Sequence, residues 1–310
     1  LQTETREKRV MNDLDATVTW SDADNERHNA TETFAAAGNI FGGSSSFSRA
    51  KDFNTSVSDF LRLRKLHIQS RNALHYTNSR NTAWGSDSTM RETLLNRSWS
   101  DGLGRSRLLS LNGITMWSLP WGDILSIDAQ YMWQKRTPDE LFGLSGTQYA
   151  ASLPADRRNY YTDAADESYS YSIELGYMFA LSKGWYVEPN FTYGQDWHSA
   201  STSRYRLDRL GEGWTDATGL LPSTRDSLLM AFDWDNSDWG NSLTRSYSGE
   251  VSIQKSTDNM EFFLSLPVKH SRERLHYNDY SVDTVATRSY TEFSPWLEYR
   301  YNKGRQRQEL

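Results

Sequence analysis

One octapeptide concentrates the chain's most reactive surface chemistry: Asp233-Trp234-Asp235-Asn236-Ser237-Asp238-Trp239-Gly240. Its carboxylates are hard oxygen ligands of the kind Ca²⁺ takes, but the spacing fails the twelve-residue calcium loop. Asp238 stands where that loop needs its turn glycine, and Thr244 where it needs a bidentate glutamate. The indoles of Trp234 and Trp239, with Trp214 upstream in the same polar stretch, offer flat apolar faces on which a sugar ring can stack. The candidate ligand-binding set is therefore Trp214, Asp233, Trp234, Asp235, Asp238 and Trp239, with no metal site and no cofactor indicated. The plainer alternative is a solvated loop tip with aromatic rings tucked beneath it.

Catalytic chemistry is harder to assemble. The chain has no Gly-rich phosphate loop, no His-Glu-x-x-His and no Gly-x-Ser-x-Gly elbow. With no cysteine, disulfides, thiolate metal sites and a cysteine nucleophile are all excluded. The six histidines, His28, His67, His75, His198, His270 and His276, are scattered. His67 and His75 share a parity with Gln69, Arg71 and Ala73, opposite to that of Leu66, and read as polar lining. An enzyme is the least favoured class.

The elements that must carry these residues are strands. In 169–180, Tyr169, Tyr171, Ile173, Leu175, Tyr177 and Phe179 share one parity, and small or polar residues hold the other. Strand side chains alternate faces, so one face is an apolar wall. Residues 181–184 turn the chain, and Trp185, Val187, Pro189, Phe191 and Tyr193 rebuild the wall. The unit recurs around Arg64-Lys65, Pro120-Trp121-Gly122 and Ser256-Thr257-Asp258-Asn259, all turn-forming sequences. Leu125, Ile127 and Tyr131, and later Phe262 and Leu264, lie on the apolar parity. Asp128, Glu174, Glu188, Glu250, Lys269, Glu298 and Arg300 fall on the opposite one.

Between these hairpins, 79–104, 136–167, 198–244 and 276–286 are polar and are expected as long loops, centred near Thr93, Ser152, Gly219 and Asp279. Short turns at one rim and long loops at the other, with apolar residues outward and polar ones inward, define a transmembrane β-barrel. The expectation is all-β: an antiparallel up-and-down transmembrane β-barrel, partial, of about 11 strands. The last strand falls at 290–301, and 15–50 is obscured by a Gly-Gly-Ser-Ser-Ser run. A soluble two-sheet sandwich explains the alternation equally well, but not the systematic short and long connections.

Composition agrees. No stretch approaches the roughly 18 apolar residues of a membrane helix, and the mean hydropathy is -0.75. A barrel tolerates such polarity because only alternate strand residues face lipid. Aromatics make up 13 %, with 12 Trp and 17 Tyr. Trp117, Trp121 and Trp185 fall near tight turns, and Tyr76, Trp133 and Trp197 near the polar stretches, as two interfacial girdles would. The formal charge of -6 is too mild and interspersed to suggest nucleic acid. The chain starts at Leu1 and stops at Leu310 mid-pattern, so residues 1–310 read as a single barrel domain from a longer secreted precursor.

Ser58-Asp59-Phe60-Leu61-Arg62-Leu63-Arg64-Lys65-Leu66 and Pro295-Trp296-Leu297-Glu298-Tyr299-Arg300-Tyr301 resemble barrel strands of TonB-dependent receptors of the SusC and siderophore-receptor type. The resemblance is to a middle portion of the barrel. It implies a cell outer membrane location in a Gram-negative bacterium and a wide barrel of about 22 strands. Outer-membrane lipid, an N-terminal plug domain and an inner-membrane energy-coupling protein are the partners it implies. It also implies uptake of a large ligand, such as a glycan, metal chelate or cofactor, captured by long extracellular loops. A non-transport barrel with a structural or partner-binding role, and a soluble carbohydrate-binding β-sandwich, are the alternatives.

Overall fold

The computed structural model describes residues 2–4, 10–34, 39–89, 94–147, 156–181, 184–257, 259–279, 281–303 and 306–309. The chain is all-β. Its strands are β1 (Gln2–Glu4), β2 (Val10–Thr33), β3 (Ile40–Leu63), β4 (Leu66–Thr89), β5 (Leu94–Ser118), β6 (Ile124–Thr147) and β7 (Asp156–Ala180). They continue with β8 (Trp185–Arg206), β9 (Asp238–Thr257), β10 (Met260–Asp279), β11 (Asp283–Phe293), β12 (Trp296–Lys303) and β13 (Gln306–Glu309). All join one sheet, and from β1 to β11 each strand is antiparallel to the one before it, the up-and-down meander of a β-barrel wall; β12 also pairs with β10, and β13 with β12. Strands β11 and β12 are one edge strand in two pieces, since both pair with β10 in a single register. The gap at 294–295 has a local cause: Pro295, and Pro267 across from Ser294 in the register of β10, have no N–H to donate to the ladder. Among the described residues, no hydrogen-bonded pair joins β1 or β2 to β11, β12 or β13.

Parity sets the two faces. One row of the ladder runs Leu61, Ile68, Thr115, Ile127, Leu175, Phe191, Gly249, Val268, Phe293. Leu175 is 47 % and Phe191 50 % exposed, whereas Ser271 on the other face is only 1 % exposed. Large residues more open than nearby serines mean that the sheet is convex toward its apolar side. Ile127, Tyr131 and Ile173 are likewise exposed, and Leu125, Tyr177, Phe262 and Leu264 half-buried; none enters a core. The sandwich alternative fails here, because the described strands form one sheet with no second sheet packed on it. The inner face is polar for the most part, although Leu108, Ile114, Met116 and Met132 interrupt it.

The tight turns lie at one rim. Arg64 takes a positive φ of 49° in the two-residue β3–β4 turn. At the β5–β6 turn, Asp123 accepts from Trp121 Nε1 at 2.8 Å, the Tyr177 hydroxyl at 2.8 Å and the Ala180 N–H at 3.0 Å, tying that turn to β7. Position 184 (φ 75°) requires glycine, because a Cβ there would meet the Ser256 carbonyl oxygen at 2.7 Å. The expected loop centres Thr93 and Ser152, and Lys183 and Asp258 within the expected turns at 181–184 and 256–259, lie outside the described residues.

The polar stretches are a correction. Most of 79–104, 136–167 and 276–286 is strand, and of 198–244 only 207–237 is a loop. Hydrophobic alternation marks only part of each strand, about 9–11 residues, the length a membrane-crossing strand has. Strands such as β4, with 24 residues, reach about 80 Å at ~3.3 Å per residue. Above the apolar band the backbone ladder continues between polar side chains. Arg80 forks onto Asp101 at 2.9 and 2.6 Å, Arg49 onto Asp22 at 3.2 and 2.9 Å, and Lys135 meets Glu167 at 2.8 Å. Register shifts at 104–106 and 136–139, the latter at Pro138, fall where the band gives way to this extension.

Candidate functional site

The 207–237 segment follows β8 and folds back over the apolar-parity face of the strand extensions. Leu207 and Ala231 are fully buried against Tyr161, with Phe142, Tyr205, Leu210, Trp214 and Leu228 around them. Parity explains the seat: Phe142, Tyr161 and Tyr205 lie in one row of the ladder. Polar anchors fix it. Asn159 Nδ2 donates to the Trp214 and Ala217 carbonyls, both at 2.7 Å, and the Asn159 N–H donates to Asp208 Oδ1 at 3.0 Å. Arg206 forks onto Asp208 at 2.9 and 2.8 Å. Asp216 pairs with Arg97 and, at 3.5 Å, with Arg157. A short helix, α1 (Arg225–Met230), is capped by Thr224, whose hydroxyl accepts the Ser227 N–H at 3.2 Å.

Burial pushes the Asp208 carboxyl up, but the Arg206 guanidinium and the Asn159 amide outweigh it and hold the group below its ordinary value. A depressed carboxylate contributes stability above the unfolded-state value and loses it as pH falls through the folded-state value. The 207–237 segment is therefore expected to stay closed at neutral pH and to open in acid, below the usual carboxylate range. Hydrogen exchange of this segment against pH checks it, with D208N expected to flatten the profile.

The predicted site residues divide. Trp234, Asp238 and Trp239 come together in a cleft of about 270 Å³ between this segment and the tops of β8–β10, completed by Ser201, Thr202, Ser203, Phe232, Ser237, Asn278 and Asp279. Trp234 is 59 % exposed, with Phe232 edge-on to it at 4.6 Å. Trp239 sets its ring at 89° to His276, centroids 4.7 Å apart. Trp214 is not in this cleft; it packs in the cluster around Leu207. Asp233 is 1 % exposed and structural: it accepts from Asn236 Nδ2 at 2.9 Å, while its carbonyl takes the Ser237 hydroxyl at 2.8 Å. Asp235 is exposed and does not line the cleft.

Asn278 and Asp279, which fall in a stretch the sequence reads as a loop, lie at the end of β10. The signal was present: a hairpin centred near 258–259 sets Trp239 opposite Asn278 and Asp238 opposite Asp279. Asp279 accepts the Ser281 and Val282 N–H groups, each at 2.7 Å, and these hold its carboxyl below the ordinary range. The cleft thus offers two indole faces beside two carboxylates and an amide. Such a combination stacks on the apolar face of a polyol ring and takes its hydroxyls. Among the described residues, no group of three or more His, Asp or Glu side chains is arranged to hold a metal ion.

No family model and no curated protein matches the sequence. Among solved structures, the chain is similar to the ferric citrate transporter FecA in the unliganded form, with 13 % identity and a TM-score of 0.40 over 91 % of this chain. It is also similar to the outer membrane protease OmpT from Escherichia coli, with 11 % identity and a TM-score of 0.26 over 94 % of each chain. The chain spans 42 % of the length of the ferric citrate transporter.

Proposed function

We propose that this chain is the wall of an outer-membrane β-barrel receptor that takes up a large ligand captured at its loop-side rim. The observation that carries the reading is the exposed apolar band on a single-layer antiparallel sheet. Segments 66–76 on β4 and 262–270 on β10 have the 9–11-residue span of a membrane strand. Aromatic residues close the band: Trp117 and Trp185 toward the tight turns, and Tyr76, Trp133 and Trp197 toward the loops. The boundary slants across the ladder, from Tyr76 on β4 down to Tyr247 and His270 on β9–β10, as strands tilted in a barrel require. The partners of this reading are outer-membrane lipid, a plug domain in the lumen and an inner-membrane energy-coupling protein. The reading is one of binding and transport rather than catalysis.

Ligand capture falls to the cleft of Trp234, Asp238 and Trp239. Stacking on an aromatic ring contributes on the order of 0.5–1.5 kcal/mol beyond area burial. W239A is therefore expected to weaken binding of a soluble oligosaccharide panel about 3–10-fold, and W234A/W239A to abolish it in isothermal titration. Retained glycan binding by the double variant would remove the cleft from the proposal. Sidedness has a separate test: protease added to intact cells should cut within 199–242 and spare the tight turns near Lys65 and Trp121. Cleavage at the tight turns alone would invert the orientation.

A further inference from the structure

Three arginines crowd together on the convex face of β9 and β10 where the apolar band ends. Arg245 and Arg272 are directly opposite each other across the strands, and Arg274 follows Arg272 on the same face. All three are exposed. Directly opposed like charges destabilise a strand pair, yet among the described residues none of the three meets a carboxylate. Arg245 donates only to Gln195 Oε1, at 3.1 Å. Arg272 and Arg274 face Ser289 and Thr287 on β11, and Leu243 faces Arg274 on β9. The nearby Glu273 points to the other face, where it accepts the Tyr290 hydroxyl at 2.9 Å. Elsewhere along the same boundary Lys135 is matched by Glu167 and Lys51 by Asp22, while the exposed Arg107 faces Tyr76 and Lys135 across its strands. What sets the β9–β10 pair apart is two guanidinium groups directly facing each other with a third beside them.

We propose that Arg245, Arg272 and Arg274 form a site for the phosphate of a membrane lipid headgroup. The level of the site selects this occupant, and the inference rests on the membrane reading above. Just below the triad lie Tyr193, Tyr247 and His270, and beside it Tyr169 and Trp197, the interfacial aromatics. A phosphate there sits at headgroup depth with its acyl chains running down past Tyr247, Val251 and Leu266, which are exposed. Guanidinium groups bind phosphate by paired N–H donors, which suits a cluster of three around one anion. The lipid anion also relieves the repulsion between the facing arginines.

The test uses the 310-residue chain refolded into phosphatidylcholine vesicles with and without phosphatidic acid, then extracted for native mass spectrometry of retained lipid. Phosphatidic acid should be retained over phosphatidylcholine by roughly a hundredfold, as expected for three cations near a headgroup. R245Q/R272Q/R274Q should lose that preference, and R272Q alone, the less disruptive change, should lose about fivefold of it. K255Q, which removes a cation stacked over Trp185 at the other rim, should keep it. Equal retention of both lipids, a preference that survives the arginine changes, or displacement of the lipid by inorganic phosphate would each overturn the assignment. Insertion without preference defeats only this site. Failure to insert into either vesicle defeats the membrane reading with it.

Discussion

Arginine in place of Ile127 or Leu175 is expected to destabilise the membrane-embedded protein by about 2–4 kcal/mol, because it puts a guanidinium near the bilayer midplane on the lipid side. Both residues lie in the middle row of the apolar band, cross-strand partners on β6 and β7, with exposed side chains. Q130R and S172R, a cross-strand pair on the concave polar face of the same two strands, should change stability far less. Urea titration of the chain refolded into lipid vesicles measures the contrast. Equal costs on the two faces would mean that the apolar face does not meet hydrocarbon. A soluble protein would show the reverse order or no order, since an exposed arginine in water costs little.

Leu207→Ala is expected to destabilise the packed 207–237 segment by about 2–5 kcal/mol, the usual cost of emptying a fully buried leucine site. Leu207 is 0 % exposed and packs in one cluster with Tyr161 and Ala231. N159A should act on the same segment by another route, leaving the Trp214 and Ala217 carbonyls without their donor. Both variants should raise the rate of proteolysis within 207–237 while leaving the sheet's β-sheet circular dichroism intact. Because Phe232 and Trp234 belong to that segment, both should also weaken any ligand seated between Trp234 and Trp239. Unchanged cleavage would mean that the segment is held by its ion pairs, Asp208 with Arg206 and Asp216 with Arg97, rather than by its apolar cluster.

Local sequence determined the strand faces and the sharp turns. The parity of Leu125, Ile127, Ile173 and Leu175 needs no tertiary information, because a strand can present alternate residues only to opposite sides. Arg64-Lys65 and Pro120-Trp121-Gly122 likewise mark turns by their own chemistry and the shortness of the link. Strand length was not legible in that pattern. Beyond the apolar band, residues such as Arg80 and Asp101 pair across strands without any apolar rhythm, so 79–104 carries no local mark separating ladder from loop. The site was half legible for a related reason. Residue type picked out Trp234, Asp238 and Trp239, but it also picked Trp214 and Asp233, which the fold consumes in packing and hydrogen bonding. Which aromatic ring is buried and which is left open depends on what the 207–237 segment lies against. That is decided by β6, β7 and β8, which bring Phe142, Tyr161 and Tyr205 into one row from distant points in the chain. Register over such separations is a property of the assembled sheet, and it also sets Arg245 against Arg272 and Trp239 beside Asn278.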